Sequence, residues 1–282
     1  MTSTSEMPAE AAEARLSSPQ ESRRRAGGDG RGALATALIR LAILAGILVV
    51  WQVVGDLTTF GRWVSDPLSV AARVGDWARS GLLWEGTRVT LSTTLLGFAL
   101  GTVVGGLAGV LLGVTRRLGA LLEPFILALY SIPKIALAPL FLLWFGIGQL
   151  PKIMLAAMLV GFLIFFNVYQ GTKTIDGQLI AIVRLMGAGR VAVIRKVALP
   201  YLSAWLFAGL KMGLPYALIG AVVGEFMAST AGLGYMVKNA SSMFDTDGVF
   251  AGLIVLMTIS TVLFLLLTAA EKRVLHWAGR GI

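Results

Sequence analysis

The stretch DGQLIAIVRLMGAGRVAVIRKVALP, from Asp176 to Pro200, is a polar interruption between two long apolar runs in the second half of the chain. Its apolar residues recur at steps of three and four, the spacing of one face of a helix. Gly187 and Gly189 break that spacing, which predicts two short amphipathic helices joined at a bend. Pro200 is expected to begin the next long helix. We call this segment the basic loop, because it carries four positive side chains against the single negative charge of Asp176.

The composition is that of a membrane protein. Of the 282 residues, 56% are hydrophobic and 14% are charged, and the mean hydropathy is +0.81. A soluble domain carries about 25% charged residues. The net charge of +9 does not indicate a nucleic-acid partner, because the positive side chains lie at the ends of apolar runs. We therefore expect an all-α membrane protein with six transmembrane helices, in contact with lipid.

The N-terminal third divides into two predicted segments. Residues 1–32 are polar, lack a periodic apolar pattern and are expected to form a disordered cytoplasmic tail. Residues 33–87 are expected to hold the first transmembrane helix, about Leu34–Val54, and an amphipathic segment on the outer face. The first apolar run has no obvious cleavage site, so an uncleaved anchor is favoured over a secretory or twin-arginine export signal.

Residues 88–271 are expected to form one membrane domain, followed by a cytoplasmic tail at 272–282. The five predicted spans of this domain are Val89–Val114, Leu121–Leu142, Ile153–Tyr169, Leu202–Met227 and Val249–Ala270. The second of these five is irregular, because it contains Pro124, Pro133 and Pro139. Prolines at membrane depth free backbone carbonyls, so this span must be covered by protein or line a cavity.

Five glycines recur at every fourth position of the span Val89–Val114. Residues four apart lie on the same side of a helix, so these glycines form a groove that lets another backbone approach closely. We expect this face to pack against a second helix. The predicted packing residues are Gly97, Gly101, Gly105, Gly109 and Gly113.

The distribution of Lys and Arg predicts the orientation. These residues are concentrated in the N-terminal tail, at Arg116-Arg117, in the basic loop and in the C-terminal tail. Such an excess is typical of cytoplasmic segments, so both termini and the basic loop are expected inside the cell. Taken alone, the basic loop also fits a plain connector or a helix that lies on anionic lipid.

Chemical signatures of an enzyme are missing from the sequence. The chain has no cysteine and one histidine, His276, and it lacks a glycine-rich phosphate loop. No metal, cofactor or catalytic residue is therefore expected. Lys211 and Glu225 lie inside one predicted span, where charge is costly and must face protein or water. Two interpretations stay open for each: pairing with a neighbouring helix, or lining a path for a solute.

The basic loop resembles the cytoplasmic signature loop of ABC importer permeases. That family has the pattern E-A-A, three residues, Gly, nine residues, Ile-x-Leu-Pro; here Gly187, Leu199 and Pro200 match, and Val197 replaces Ile. The triplet falls on Ala181, Ile182 and Val183, so the glutamate is missing. The resemblance implies that this loop contacts an ATPase. The implied coupling residues are Ala181, Ile182, Val183, Arg184, Leu185, Met186, Gly187, Ala188, Leu199 and Pro200.

Other stretches are similar to the nitrate/sulfonate/taurine/bicarbonate branch of that family. They are Leu96-Gly97-Phe98, SIPKIALAPL at 131–140, WFGIG at 144–148, VVGE at 222–225 and Gly232-Leu233-Gly234. Together they cover most of residues 88–271, which implies the type I ABC importer transmembrane fold and the cell membrane. The implied partners are a second permease subunit (identical or not), two cytoplasmic ATPases and an extracytoplasmic solute-binding protein.

The resemblance also implies a path for a small anionic solute. The candidate path residues are Pro133, Lys134, Asn167, Lys211 and Glu225. Two other classes of protein remain as alternatives. A secondary transporter or channel would work without an ATPase and show an inverted repeat, and no clear repeat joins the two halves of the chain. A membrane enzyme or a sensory subunit is the second, and the missing catalytic residues oppose the enzyme.

Overall fold

The computed structural model describes residues 29–57 and 61–275, and within these ranges every regular element is a helix. The helices, in chain order, are α1 Asp29–Leu57, α2 Gly61–Val64, α3 Pro67–Arg79, α4 Leu82–Val114, α5 Arg116–Ser131, α6 Ala138–Phe145, α7 Leu150–Lys173, α8 Gly177–Leu185, α9 Arg190–Val193, α10 Leu199–Met227, α11 Leu233–Ser242 and α12 Thr246–Val274. A 3₁₀ turn, Lys134–Leu137, precedes α6, and a π turn, Ile194–Ala198, joins α9 to α10.

The described residues fall into two compact units that meet between Pro67 and Leu68. Helix α3 and the start of α4 pack with the later part of the chain. Arg73 of α3 forms a 3.1 Å ion pair with Asp245, and Gly86 of α4 lies against Met236 and Leu233 of α11.

The first unit contains a long apolar helix. The apolar part of α1, Leu34–Asp56, is long enough to cross a membrane, and none of its most apolar window is buried in protein. At the C-terminal end of α1, the Trp51 indole donates to the Val64 carbonyl at 3.1 Å. Helix α1 begins at Asp29, inside the segment predicted to be disordered. Residues 1–28 lie outside the described residues.

The second unit supplies the remaining predicted spans. Across the described residues, five helices of the whole chain are long and apolar enough to cross a membrane, and a bent pair raises the count to six. The bent pair is Arg117–Ser131 with Lys134–Phe145, at an angle of 80°. The fold class predicted from the sequence is therefore confirmed.

One proline of the irregular span causes its bend. Pro124 lies inside α5, and Pro139 occupies the first turn of α6, where a missing amide is tolerated. Pro133 follows Ile132, whose backbone is extended (φ −66°, ψ 132°). Because a residue before proline avoids the helical region, the helix ends there and the chain turns.

The backbones of α4 and α7 are in direct contact. The five glycines of α4 are buried, and each faces α7. A Cβ on Gly105 would overlap the Gly161 carbonyl, and one on Gly109 would lie 2.9 Å from the Phe165 carbonyl oxygen. Small residues at such a contact allow the van der Waals packing that holds membrane helices together.

Helix α7 lies at the centre of the second unit, between α4 and α10. Its buried residues Val160, Ile164 and Val168 form an apolar cluster with Ala217 of α10, and Phe98 of α4 packs against it. The predicted spans are longer in the structure, since α4 begins at Leu82 and α12 continues to Val274. Helix α12 therefore extends into the predicted C-terminal tail.

The second arm of the basic loop, Arg190–Pro200, leads directly into a long helix. Pro200 lies in the first turn of α10, as predicted from the sequence. What the sequence did not predict is that α9 and the π turn continue into α10, so that the three count as one candidate span, Val191–Met227. Pro200 has no amide to donate to the carbonyl four residues earlier. The π turn lies immediately before it, where the hydrogen-bond pattern must change.

The α4–α7 contact gives a matched pair of substitutions. We expect Gly105→Ala to destabilise the protein by about 1–3 kcal/mol, since the added methyl group forces the two backbones apart. Gly106→Ala is the control, because its Cβ would lie 3.9 Å from the Ile164 side chain. The measurement is the thermal unfolding midpoint of the detergent-purified chain. Equal midpoints for the two variants would contradict the packing role of Gly105.

Candidate functional site

The basic loop folds as a capped helix followed by a tight turn. Asp176 caps α8, its carboxylate accepting from the Gln178 amide at 2.7 Å. At the other end, the Gly187 amide donates to the Arg184 carbonyl and the Ala188 amide to the Val183 carbonyl. This is the Schellman arrangement, which requires a residue with positive φ, and Gly187 has φ +86°. The physical requirement for glycine at this position is therefore local backbone geometry.

Large apolar side chains at the tip of the basic loop are exposed. Leu185 is 88% exposed, Met186 is 81% exposed and Ile182 is 55% exposed. Arg184 is also exposed, whereas Ala188 and Val183 are half-buried. Exposed apolar residues in a cluster are typical of a protein contact or a membrane contact. The triplet positions that lack the family's glutamate, Ala181 to Val183, lie on the helix that carries this tip.

The base of the basic loop is bonded to the membrane helices. The Tyr201 hydroxyl donates to the Thr174 carbonyl at 3.3 Å, which joins the two arms. Next to it, the Lys173 ammonium lies 2.8 Å from the Glu123 carboxylate, and the Tyr169 hydroxyl donates to the same carboxylate at 3.1 Å. These contacts join the end of α7 to α5. The contacts at the base of the loop therefore involve three helices, α5, α7 and α10.

Lys211 forms an ion pair with Glu271. The two residues belong to α10 and α12, and their side chains are 30% and 20% exposed. Pairing explains how a cation is tolerated inside the span, which was one of the two interpretations left open by the sequence. Asn167 donates to the Leu163 carbonyl of its own helix at 2.9 Å.

Glu225 is the centre of a buried polar cluster. Its carboxylate is fully buried and accepts from the Thr90 hydroxyl at 2.9 Å and from the Gly234 amide at 2.7 Å. The Thr90 oxygen in turn accepts from the Leu233 amide at 2.8 Å. The cluster therefore fastens the start of α11 to α4 and α10, and in this conformation the carboxylate is not exposed to a water-filled path.

The glycines around Glu225 make room for its carboxylate. A Cβ on Gly232 would overlap the carboxylate, and one on Gly234 would lie 2.8 Å from Oε2. Gly232 also has φ +119°, a backbone conformation that side chains disfavour. The motif Gly232-Leu233-Gly234 is thus explained by the anion that it encloses.

Lys152 and Thr90 are two residues that the sequence analysis did not select. Lys152 is 5% exposed, and its ammonium donates to the Ser229 hydroxyl at 2.9 Å, in the connection between α10 and α11. Thr90 is 135 positions from Glu225, so no local spacing indicates their contact. For Lys152, the one signal available in the sequence was its position directly after Pro151, at the start of a predicted span.

Pro133 and Lys134 lie at the bend between α5 and α6. The Lys134 ammonium donates to the Tyr130 carbonyl at 2.6 Å and lies 4.2 Å from the centre of the Tyr130 ring. The five candidate path residues are not brought into one cluster. Among the described residues, no hydrogen bond or ion pair joins any two of them.

Comparison with known proteins decides the family. The family model described as the binding-protein-dependent transport system inner membrane component matches residues 101–276. The chain belongs to this family. It is therefore an ABC importer permease, a multi-span protein of the inner membrane, and the resemblance found in the sequence is confirmed.

Relatives place this ABC importer permease in the sulfonate and taurine branch. The chain is 31% identical to the putative aliphatic sulfonates transport permease protein SsuC of Bacillus subtilis, with 84% of this chain and 86% of the relative covered. It is 36% identical to the riboflavin transport system permease protein RibX of Chloroflexus aurantiacus, with coverage of 82% and 87%. The taurine transport system permease protein TauC of Escherichia coli is 28% identical, with coverage of 86% and 90%.

A solved structure shares the fold of the permease. A chain of the inward facing MetNI methionine ABC transporter superposes with a TM-score of 0.56 at 23% identity. The alignment covers 71% of the permease and 97% of that chain. At this level of identity the likeness concerns the fold.

The Glu225 cluster predicts a second matched pair of substitutions. Thr90→Val removes a hydroxyl that donates to Glu225 and accepts from Leu233, so two buried polar groups lose a partner. We expect a loss of about 1–3 kcal/mol of stability. Thr93→Val is the control, because the Thr93 side chain is equally buried but donates only to the Val89 carbonyl of its own helix. Thermal unfolding of both variants gives the comparison, and a Thr93→Val variant that is as unstable as Thr90→Val would contradict the role of the cluster.

Proposed function

We propose that this permease forms the translocation path of an ATP-driven importer through a pair of permease subunits, identical or different. Two cytoplasmic ATPases would bind the basic loops, and an extracytoplasmic solute-binding protein would deliver the solute. The observation that carries this proposal is the exposed pair Leu185 and Met186, at the end of a helix that is capped at Asp176 and followed by the Gly187 turn. An exposed apolar tip of this kind is suited to a cleft on a partner protein.

Movement of the ATPases would reach the path through the helices at the base of the loop. The second arm of the basic loop is continuous with α10, and the Glu123 contacts join α7 to α5. We propose that closure of the ATPases pushes the loop and rocks these helices between inward-open and outward-open forms. The contacts of Ile182, Leu185 and Met186, with Arg184 beside them, would replace the contact of the missing glutamate.

We propose a small anionic solute as the cargo. The relatives in the sulfonate and taurine branch carry names that refer to sulfonate solutes, whereas the riboflavin relative is named for a larger molecule. Positive groups at membrane depth favour an anion by charge. The solute-binding protein would contribute most of the selection, because it meets the solute first.

The orientation is part of the same proposal. Both termini and the basic loop would face the cytoplasm, where the ATPases are, and α11 would face outward. The excess of Lys and Arg in the first set of segments supports this arrangement.

Docking of the ATPase is tested by placing charge on the tip. Carboxylates there would have to be desolvated against an apolar cleft. We expect the double variant Leu185→Asp/Met186→Asp to weaken ATPase binding at least about tenfold, which corresponds to 1.4 kcal/mol, and so to lose most of the co-purifying ATPase. The measurement is ATP hydrolysis in the particle purified from its native host.

The control for docking is a second pair of adjacent, exposed apolar residues. Met243 and Phe244 are 70% and 83% exposed and follow α11. The variant Met243→Asp/Phe244→Asp should retain the ATPase. An ATPase that stays bound to the Leu185→Asp/Met186→Asp variant, or is absent from the wild-type particle, would favour the secondary transporter or channel.

The orientation is testable because the chain contains no cysteine. Gly189→Cys adds a thiol where no atom lies within 4 Å of the new Cβ, and Met243→Cys adds one at an exposed position. A membrane-impermeant maleimide should label Met243→Cys in intact spheroplasts and Gly189→Cys only in inverted vesicles. The opposite pattern would place the basic loop outside and exclude its contact with a cytoplasmic ATPase.

A further inference from the structure

Lysines in the membrane helices of the second unit differ in how their charge is compensated. Lys211 pairs with Glu271, and Lys173 pairs with Glu123. Lys152 is enclosed and donates to Ser229, in the region that also contains the Glu225 carboxylate. Lys134 has no carboxylate within ion-pair distance anywhere in the described part of the chain. Its charge is therefore available to an external anion.

Lys134 is held by groups that position its ammonium without neutralising it. One N–H donates to the Tyr130 carbonyl at 2.6 Å, and the ammonium lies 4.2 Å and 4.9 Å from the centres of the Tyr130 and Phe162 rings. Aromatic faces attract a cation through their quadrupole and carry no net charge. The Tyr130 ring is itself fixed by an edge contact with Phe166, with the ring centres 4.9 Å apart. Two N–H donors of the ammonium remain free for a ligand.

A cavity of about 270 Å³ opens beside this ammonium. It lies at the bend between α5 and α6, where α7 and α10 also contribute walls. Its lining includes Tyr130, Pro133, Lys134, Leu163 and Tyr216, and no acidic residue belongs to it. The two tyrosines of this lining, Tyr130 and Tyr216, are 43% and 45% exposed. The bend at Pro133 creates this space, because an unbroken helix would continue through it.

We propose that this cavity binds the anionic head of the transported solute, with Lys134 as the charge that selects a small oxyanion such as a sulfonate or a carboxylate. This inference rests on the proposed function and assigns the anion site within it. The tyrosine hydroxyls donate to the oxyanion, and the apolar wall accepts the carbon end of the solute. The volume is slightly below the range of about 300–1,000 Å³ of typical ligand pockets, so it suits a solute of few atoms.

Lys134 is preferred over Lys211 as the anion-binding residue, because the two lysines differ in the contacts that they would have to break. Binding of an anion by Lys211 would require separation of its ion pair with Glu271. Binding by Lys134 requires no such separation, because its partners are a carbonyl and aromatic rings. Lys211 is consequently a structural residue in this scheme, and Lys134 is the one that contacts the anion.

The experiment uses the cysteine-free chain with one reporter thiol. Leu163→Cys places the thiol on the wall of the cavity that α7 provides, in the full permease reconstituted into phosphatidylcholine vesicles. The rates of modification by the anionic sulfonatoethyl methanethiosulfonate and by its cationic trimethylammonioethyl counterpart are compared. A nearby positive charge raises the first rate and lowers the second.

Removal of the charge should change this ratio selectively. With Lys134→Met, we expect the anionic-to-cationic rate ratio at Leu163→Cys to fall about tenfold, which corresponds to 1.4 kcal/mol. Lys134→Arg should preserve the ratio, and Lys211→Met should leave it unchanged. The ratio at Gly189→Cys, in the basic loop, should not depend on Lys134. Methanesulfonate added in excess should slow the anionic reagent only when Lys134 or its arginine substitute is present.

Several outcomes would overturn the proposal. They are an unchanged ratio in Lys134→Met, an equal loss in Lys211→Met, or no reaction of Leu163→Cys with either reagent. An anionic lipid is the other source of an oxyanion; if phosphatidylglycerol abolishes the reaction and methanesulfonate does not slow it, the site binds a headgroup and not a solute. Since no ATPase is needed, a failure here is separate from a failure of ATP-driven uptake or of ATPase docking.

Discussion

The rest of the second unit depends on the direct contact between the backbones of α4 and α7. In lipid the hydrophobic effect does not drive one apolar helix onto another, so packing at short range must supply the attraction. The glycines of α4 allow it, because Gly105 meets the Gly161 carbonyl with no side chain between them. Beside this contact, α7 carries the apolar cluster that it shares with α10, and α10 is continuous with the basic loop. The α4–α7 contact thus positions both the apolar cluster and the helix that carries the end of the basic loop.

Polar groups in this protein fall into two classes with different physical roles. The carboxylate of Glu225 is enclosed by a hydroxyl and a backbone amide, and the glycines beside it leave space for no other group. Such satisfied, buried groups fix one arrangement of α4, α10 and α11. Lys134 belongs to the other class, since it is held next to a cavity by partners that leave its charge uncompensated. A permease needs both, because a path must have rigid walls and also a group that can exchange its partner.

Much of this arrangement was accessible from the sequence, and the exceptions have physical causes. The period of four in the glycines, the amphipathic basic loop and the prolines of the irregular span are local patterns, and they predicted the helices and the six-span fold. The contact of Thr90 with Glu225 joins distant positions, and no periodicity reports it. Pro200 lies in the first turn of α10, as expected, but no local pattern reports the π turn that joins α9 directly to that helix. The three prolines of the irregular span differ in effect. Pro124 lies inside α5 and Pro139 in the first turn of α6, whereas a helix ends immediately before Pro133.

The continuous helical segment that contains the second arm of the basic loop is longer than the hydrocarbon layer of a membrane is thick. It runs for 37 residues, from Val191 to Met227, which at a rise of 1.5 Å per residue is about 56 Å. The hydrocarbon layer is about 30 Å thick, so even a tilted helix extends well past the lipid headgroups. Part of the helix that carries the end of the basic loop therefore lies outside the hydrocarbon layer, whichever way the chain is oriented.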